Sequence, residues 1–208
     1  MTGVERGTPT RAQDEARRTH PNASEHGELA RVLADAGCDV LLCETFPHVP
    51  EALVAVACAV DTGVETWVAF TAGPDGTLLS PEEMSEGARA AVDEGARAVL
   101  VNCTPAHDTR RFLDALAAAK LGVPIGAYAN GGLANDIDGF TVAGEPTPSA
   151  YAALARGWAS AGASIIGACC GTGPLHIAAL ATAFADGSEK PSELEGHRLE
   201  TSSRRARS

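Results

Sequence analysis

The chain repeats one plan five times: a short apolar run, then a loop, then an amphipathic segment rich in Ala and Leu. Each run is nearly continuously apolar, which is typical of parallel strands that are covered on both faces. Helical segments alternating with such strands indicate an α/β fold built on a parallel sheet. The predicted strands are DVLLCET (39–45), TWVAFTA (66–72), AVLVNCT (98–104), PIGAYAN (124–130) and SIIGACC (164–170).

The segments between these strands predict helices, several of which begin at a proline and end at a glycine. Residues 26–186 supply about 32 residues per unit, close to the roughly 31 of a (β/α)₈ barrel. The fold class is therefore an incomplete parallel barrel of about five βα units, because a closed barrel needs about eight. The predicted helices are 25–36, 50–61, 81–94, 108–119, 148–161 and 173–186.

The two ends of the chain differ from its middle. Residues 1–24 and 187–208 are polar and have no regular period, so we interpret them as disordered tails around one domain over 25–186.

The net charge of -11 and the lack of a basic patch exclude nucleic acid as an expected partner. No apolar run approaches the roughly 20 residues that span a bilayer, and no signal segment is seen, so we expect a cytoplasmic protein without a membrane partner.

Six cysteines in a chain of this kind are expected to stay reduced. Free cysteine is among the most buried residue types and often does nothing but pack. Cys38 lies in a predicted turn, Cys43 within a strand and Cys58 on an apolar helix face. We interpret these three as packing residues.

Polar or thiol residues occupy the C-terminal end of every predicted strand. That end of a parallel α/β sheet is where binding and catalytic sites are built. Three thiols there would suit zinc and leave its fourth position open for a substrate, as in catalytic zinc sites. From the residues alone, packing and metal binding are equally open for these thiols. The strand-end residues are Glu44-Thr45, Thr71, Asn102-Cys103, Asn130 and Cys169-Cys170.

Four segments together resemble the homocysteine S-methyltransferase family, and the resemblance covers residues 26 to about 185. It implies a zinc ion held by Cys103, Cys169 and Cys170. It also implies that Glu44 holds the amino group of homocysteine. We add Thr45 and Asn102 as substrate-binding residues, with Asn102 expected to order either the strand end or the backbone of the substrate. The segments are DVLLCETFPHVPEA (39–52), VLVNCTP (99–105), GAYANGG (126–132) and GACCGTGPLHIAAL (167–180).

The implied reaction is methyl transfer to the thiol of homocysteine, which forms methionine. The implied partners are homocysteine and a small methyl donor, either a sulfonium compound such as S-methylmethionine or S-adenosylmethionine, or a methylated folate. The sequence does not choose among these donors. Betaine is disfavoured, because Thr45 follows Glu44 where the betaine-using branch of the family has tyrosine.

One departure from the family concerns the number of units. Family members are complete barrels, whereas residues 1–25 are too short and too polar to supply three more βα units. We therefore expect an open sheet whose edges, 39–45 and 164–170, favour homo-oligomers. An inactive zinc-binding fragment that needs another chain is the alternative. A cysteine-pair redox protein is disfavoured, because adjacent cysteines form only a strained disulfide and no Cys-x-x-Cys motif is present.

Overall fold

The computed structural model describes residues 20–131, 133–135, 139–141 and 146–185. Residues 1–19 and 187–208 of the predicted tails lie outside this range. Residues 20–24 are described, and the prediction of disorder is wrong for them: the first helix begins at Ala23, two residues before the predicted start, and Asn22 donates to the Glu51 carboxylate. The helices are α1 (Ala23–Asp35), α2 (Val49–Val60), α3 (Pro81–Glu94), α4 (Thr109–Ala119), α5 (Pro148–Ser160) and α6 (Pro174–Ala185). The strands are β1 (Val40–Phe46), β2 (Glu65–Phe70), β3 (Ala98–Pro105), β4 (Ile125–Asn130), β5 (Leu133–Asn135), β6 (Gly139–Thr141) and β7 (Ala163–Ala168).

The main sheet has five parallel strands in the order β1-β2-β3-β4-β7. Each strand lies beside the next one along the chain, which is the order of a barrel rather than of a doubly wound sheet. The predicted α/β parallel fold is confirmed, and every predicted strand is present to within two residues. Strands β1 and β7 are the two edges of this sheet, as the sequence predicted for 39–45 and 164–170.

The helices begin and end close to the residues that the sequence signals predicted. Helix α3 shows the physical reason: the Ser80 hydroxyl accepts from the Glu83 amide, and the Glu83 carboxylate accepts from the Ser80 amide. Gly95, with a φ of 116°, then ends the helix in a left-handed conformation that glycine adopts without strain. None of the described helices is long and apolar enough to cross a bilayer.

A small antiparallel pair, β5 with β6, was not predicted from the sequence. Each strand has three residues, which is too short for an alternating pattern to be recognised. The pair follows β4 directly and precedes α5, so it lies in the connection that leaves the C-terminal end of β4.

The two faces of the main sheet differ in what covers them. One face packs on the helices through a core that includes Phe70, Val101, Phe112 and Trp158. The other, which we call the open face, carries buried Ala69, Ala98 and Leu100 with partly buried Trp67, Tyr128 and Ile165. All members of this second cluster are strand residues, so no described helix lies over the open face.

Candidate metal centre

The structure brings together the three thiols that the sequence singled out at strand ends. The sulfurs of Cys103, Cys169 and Cys170 all lie within 4.8 Å of one another. The Cys103 and Cys170 sulfurs are 3.5 Å apart, and those of Cys169 and Cys170 are 3.9 Å apart. All three residues are half-buried, so the cluster lies at the surface of the strand-end rim and not inside the core.

Two β-bulges direct side chains toward this rim. One extra residue in β1 falls between Cys43 and Phe46, and one in β3 falls between Asn102 and Pro105. Thr45 and Cys103 lie within these bulges and have positive φ angles of 65° and 46°. A left-handed backbone is costly for residues other than glycine and is concentrated at functional sites. The bulges thus position the Glu44-Thr45 pair and Cys103, as bulges beside barrel rims commonly do.

Backbone hydrogen bonds hold the vicinal cysteines just beyond β7. The Cys169 amide donates to the Ala129 carbonyl, and the Gly131 amide donates to the Cys170 carbonyl. The Thr172 amide and hydroxyl both donate to the Cys169 carbonyl. The pair is therefore tied to the end of β4 and to its own following turn.

Asparagine amides connect the bulges to each other and to the thiol site. Asn102 Nδ2 donates to Thr45 Oγ1 at 2.6 Å, and Asn130 Nδ2 donates to the Cys103 carbonyl at 2.9 Å. Asn102 is fully buried, and its Oδ1 has no hydrogen-bond partner among the described residues. A buried acceptor without a partner is rare and is commonly explained by function or by a bound molecule.

Glu44 lies on the same rim, and the structure adds Tyr128, which the sequence analysis missed. The Tyr128 hydroxyl donates to Glu44 Oε2 at 3.0 Å. Burial, the Glu44 charge and their hydrogen bond raise the pKa of Tyr128, and the nearby Cys169 and Cys103 raise it further. The sequence signal for Tyr128 is the alternation of side chains between the two faces of a strand, because Tyr128 lies on the same face of β4 as the strand-end residue Asn130.

The three thiols of the cluster differ in pKa. The hydrogen bond from Cys103 lowers the pKa of Cys169 to about 6, although burial and the Glu44 charge oppose this effect. The same hydrogen bond and burial raise the pKa of Cys103, and burial raises that of Cys170. Of the three thiols, Cys169 therefore loses its proton most readily, with its thiolate supported by the Cys103 thiol.

The sulfur positions fit a zinc ion. Tetrahedral zinc with Zn–S bonds of about 2.3 Å requires sulfurs roughly 3.8 Å apart, and two of the three sulfur pairs here are 3.5 and 3.9 Å apart. Three thiolates form a soft ligand set that zinc prefers. Because the cluster is half-buried, a fourth ligand from solvent or substrate has access to it.

The lowered pKa of Cys169 makes a testable prediction for the metal-free protein. Because the thiolate is the reactive form, alkylation of Cys169 by iodoacetamide is expected to rise through an inflection near pH 6. The Cys103→Ala variant loses the supporting hydrogen bond, so its inflection should move to higher pH. Peptide mapping by mass spectrometry measures the labelling, and an unchanged inflection in the variant would show that Cys103 is not the cause.

The three cysteines predicted to pack have different outcomes. Cys38 is exposed, so that prediction is wrong for it: the turn after α1 carries the side chain into solvent. Cys43 packs against the core from β1. Its burial, and to a smaller extent the electrostatic effect of nearby Cys58, raises the pKa of Cys43 to about 11. Cys58 is half-buried, and its thiol donates to the Ala23 carbonyl. None of the three is part of the rim cluster.

Comparison with known proteins gives one consistent family. The family model described as homocysteine S-methyltransferase matches residues 6–184. The homocysteine S-methyltransferase YbgG of Bacillus subtilis is 32% identical over 159 residues, which are 75% of this chain and 50% of that protein. The homocysteine S-methyltransferase of Escherichia coli is 32% identical over 166 residues, 74% of this chain and 51% of that protein. The selenocysteine Se-methyltransferase of Brassica oleracea is 31% identical over 168 residues, 74% and 46% respectively.

Solved structures agree on the fold. The apo homocysteine methyltransferase MmuM of Escherichia coli superposes with a TM-score of 0.60 and 24% identity, covering 80% of this chain and 59% of that one. Its metallated form gives a TM-score of 0.57 and covers 54% of that chain. The chain thus spans about half the length of the relatives that it matches.

Proposed function

Since the chain belongs to the homocysteine S-methyltransferase family, we propose that it transfers a methyl group to the thiol of homocysteine and forms methionine. The observation that carries the proposal is the convergence of three thiols on a strand-end rim that also holds the Glu44 carboxylate. A soft metal site beside an anchor for an ammonium group suits a substrate that has both a thiol and an amino group.

The metal of this proposal is zinc, with Cys103, Cys169 and Cys170 as its ligands. Bound zinc would lower the pKa of the substrate thiol, which supplies the thiolate nucleophile at neutral pH. The backbone itself positions these ligands, because hydrogen bonds hold the vicinal cysteines and the β3 bulge holds Cys103. The low pKa of Cys169 means that one ligand needs little deprotonation at pH 7.

Three residues of the rim are assigned to the substrate. Glu44 is exposed, and its carboxylate accepts hydrogen bonds from the ammonium group of homocysteine. Thr45 is also exposed and lies next to it, whereas Asn102 is buried and donates to the Thr45 hydroxyl. In this proposal Asn102 contributes to substrate binding by fixing the Thr45 hydroxyl.

The reaction forms a bond between the homocysteine sulfur and the methyl carbon, breaks the bond from that carbon to the donor, and releases the thiol proton. No side chain needs to act as a general base, since the proton leaves when the thiol binds. What remains for the chain is to align sulfur and methyl carbon, which is worth several orders of magnitude in rate when done well. The donor is a sulfonium compound or a methylated folate. A reducing, cytoplasmic setting is part of the proposal, because the thiols must stay free.

Replacing Glu44 by alanine tests the substrate assignment. We expect homocysteine to bind roughly ten- to a hundredfold more weakly, because a hydrogen bond between charged groups is lost, while zinc content stays unchanged. Calorimetry measures the binding, and atomic absorption measures the metal. Glu86→Ala, which removes an exposed carboxylate from α3, is the matched control. Equal loss of zinc and homocysteine in Glu44→Ala would mean that Glu44 is structural.

A second candidate function is a zinc-binding fragment that acts only when another chain completes the barrel. It is favoured by one observation: the main sheet ends at β1 and β7, and both edges carry rim residues. In this alternative, the isolated protein binds one zinc ion per chain but transfers no methyl group. The two candidates therefore separate on turnover and not on metal content.

A further inference from the structure

Tyr128 reaches across the sheet to Glu44. The two residues lie on β4 and β1, with β2 and β3 between them. Three strand spacings of about 4.8 Å amount to roughly 14 Å along the sheet, yet the phenol oxygen is 3.0 Å from Glu44 Oε2. Both side chains must therefore lean over the open face toward each other, and their contact spans the strand ends beside the thiols.

The surroundings hold the tyrosine ring in this orientation. Tyr128 packs on the open face with Leu100 and Ile165. On β7 its register partner is Gly167, where an added Cβ would come within 3.2 Å of the Tyr128 Cβ. The ring is thus supported below by apolar side chains and has room beside it because position 167 is glycine. Its hydroxyl is left to act as a donor at the rim.

The hydrogen bond changes what the carboxylate can do. Glu44 is exposed on an edge strand, so without a partner its side chain would sample several rotamers. The phenol occupies Oε2 and leaves Oε1 for a ligand. The strand register places Tyr128 beside Asn102, the residue before Cys103, on β3 and beside Gly167, two residues before Cys169, on β7. The phenol therefore comes from a strand that lies between the two strand ends that carry the thiols.

From this geometry we propose that Tyr128 is a positioning residue that fixes the Glu44 carboxylate toward the ammonium of a thiol bound at the three-cysteine cluster. It thereby makes the site select amino thiols over thiols that lack the amino group. This inference rests on the proposed function, because it requires that a substrate thiol binds at Cys103, Cys169 and Cys170. It adds a selectivity determinant that acts through Glu44 and touches no reacting atom.

Two thiols of equal length test this inference on the zinc-loaded chain. L-homocysteine carries the amino group, and 4-mercaptobutyrate is the same molecule without it. In Tyr128→Phe, which removes only the hydroxyl, calorimetry should show about tenfold weaker binding of homocysteine, the loss expected for one hydrogen bond to a charged group. Binding of 4-mercaptobutyrate should change by less than about twofold, and zinc content should not change.

Tyr151→Phe is the matched control, because Tyr151 is the only other tyrosine and its hydroxyl donates to the Ala129 and Gly167 carbonyls within the core. That variant is expected to melt at a lower temperature but to keep the ratio of the two affinities. If Tyr128→Phe left the ratio of the two affinities unchanged, whether both thiols bound more weakly or neither did, the inference would be overturned and the proposed function would remain intact. A wild-type chain that loads zinc and binds neither thiol would overturn the proposed function, and the inference with it.

Discussion

Replacing any one of Cys103, Cys169 and Cys170 by alanine is expected to weaken zinc binding at least about a hundredfold and to abolish methyl transfer. The reason is the ligand count: zinc binding to a full set of protein ligands is worth roughly 10–16 kcal/mol, and each variant removes one of the three thiolates. Competition with a chromophoric chelator measures the affinity, and the metal content after dialysis gives an independent reading.

The other cysteines supply the controls for this prediction. Cys38→Ala removes an exposed thiol, and Cys58→Ala removes a half-buried one that is not part of the cluster. Both variants should keep zinc at the wild-type level. If Cys103→Ala retained full affinity while the vicinal variants lost it, the assignment of Cys103 as a ligand would be wrong, despite its 3.5 Å distance to the Cys170 sulfur.

The isolated chain is expected to self-associate through the ends of its sheet. Among the described residues, eight of the nine exposed large apolar side chains lie on the first βα elements or on the last helix, beside the edge strands β1 and β7. Exposed apolar surface next to an unpaired strand edge recruits partners. The eight residues are Leu29, Val32, Leu33, Val40, Leu42, Leu175, Ile177 and Phe184.

A lysine on the edge strand should reverse this association. Leu42 is 40% exposed on β1, and Leu42→Lys places a charge where a partner would pack. Burying a leucine contributes about 1.5–3 kcal/mol, so association should weaken at least about tenfold. Size-exclusion chromatography with light scattering measures this. Leu78→Lys, at an exposed leucine away from both edges, is the control. A monodisperse wild-type monomer with a cooperative melting transition would show that the five units are self-sufficient.

Most of the fold followed from local signals in the sequence. The apolar runs and the Pro and Gly boundaries predicted all five strands of the main sheet to within two residues, because such runs are buried on both faces. The β5–β6 pair escaped prediction because three-residue strands have no readable period. Cys38 was misassigned because amino-acid type alone does not say which way a turn directs a side chain.

The site was predictable in its membership but not in its geometry. The strand-end rule collected Glu44, Cys103 and the vicinal cysteines, since parallel strands present their C-terminal ends on one edge. The bulges that turn Thr45 and Cys103 into left-handed backbone depend on strand register, which the sequence does not state. Tyr128 was missed because its partner is 84 residues away, on a strand that is not adjacent.

The proposed transfer of a methyl group to homocysteine, with zinc on Cys103, Cys169 and Cys170, can be tested directly. The direct test incubates the zinc-loaded chain with homocysteine and a methyl donor labelled with deuterium, using S-methylmethionine, S-adenosylmethionine and methyltetrahydrofolate in turn. Mass spectrometry then follows labelled methionine. We expect the wild-type chain to form labelled methionine over many turnovers with at least one donor, and Cys103→Ala to form none. If a wild-type chain that holds one zinc ion formed no labelled methionine with any donor, the proposed methyl transfer would be wrong.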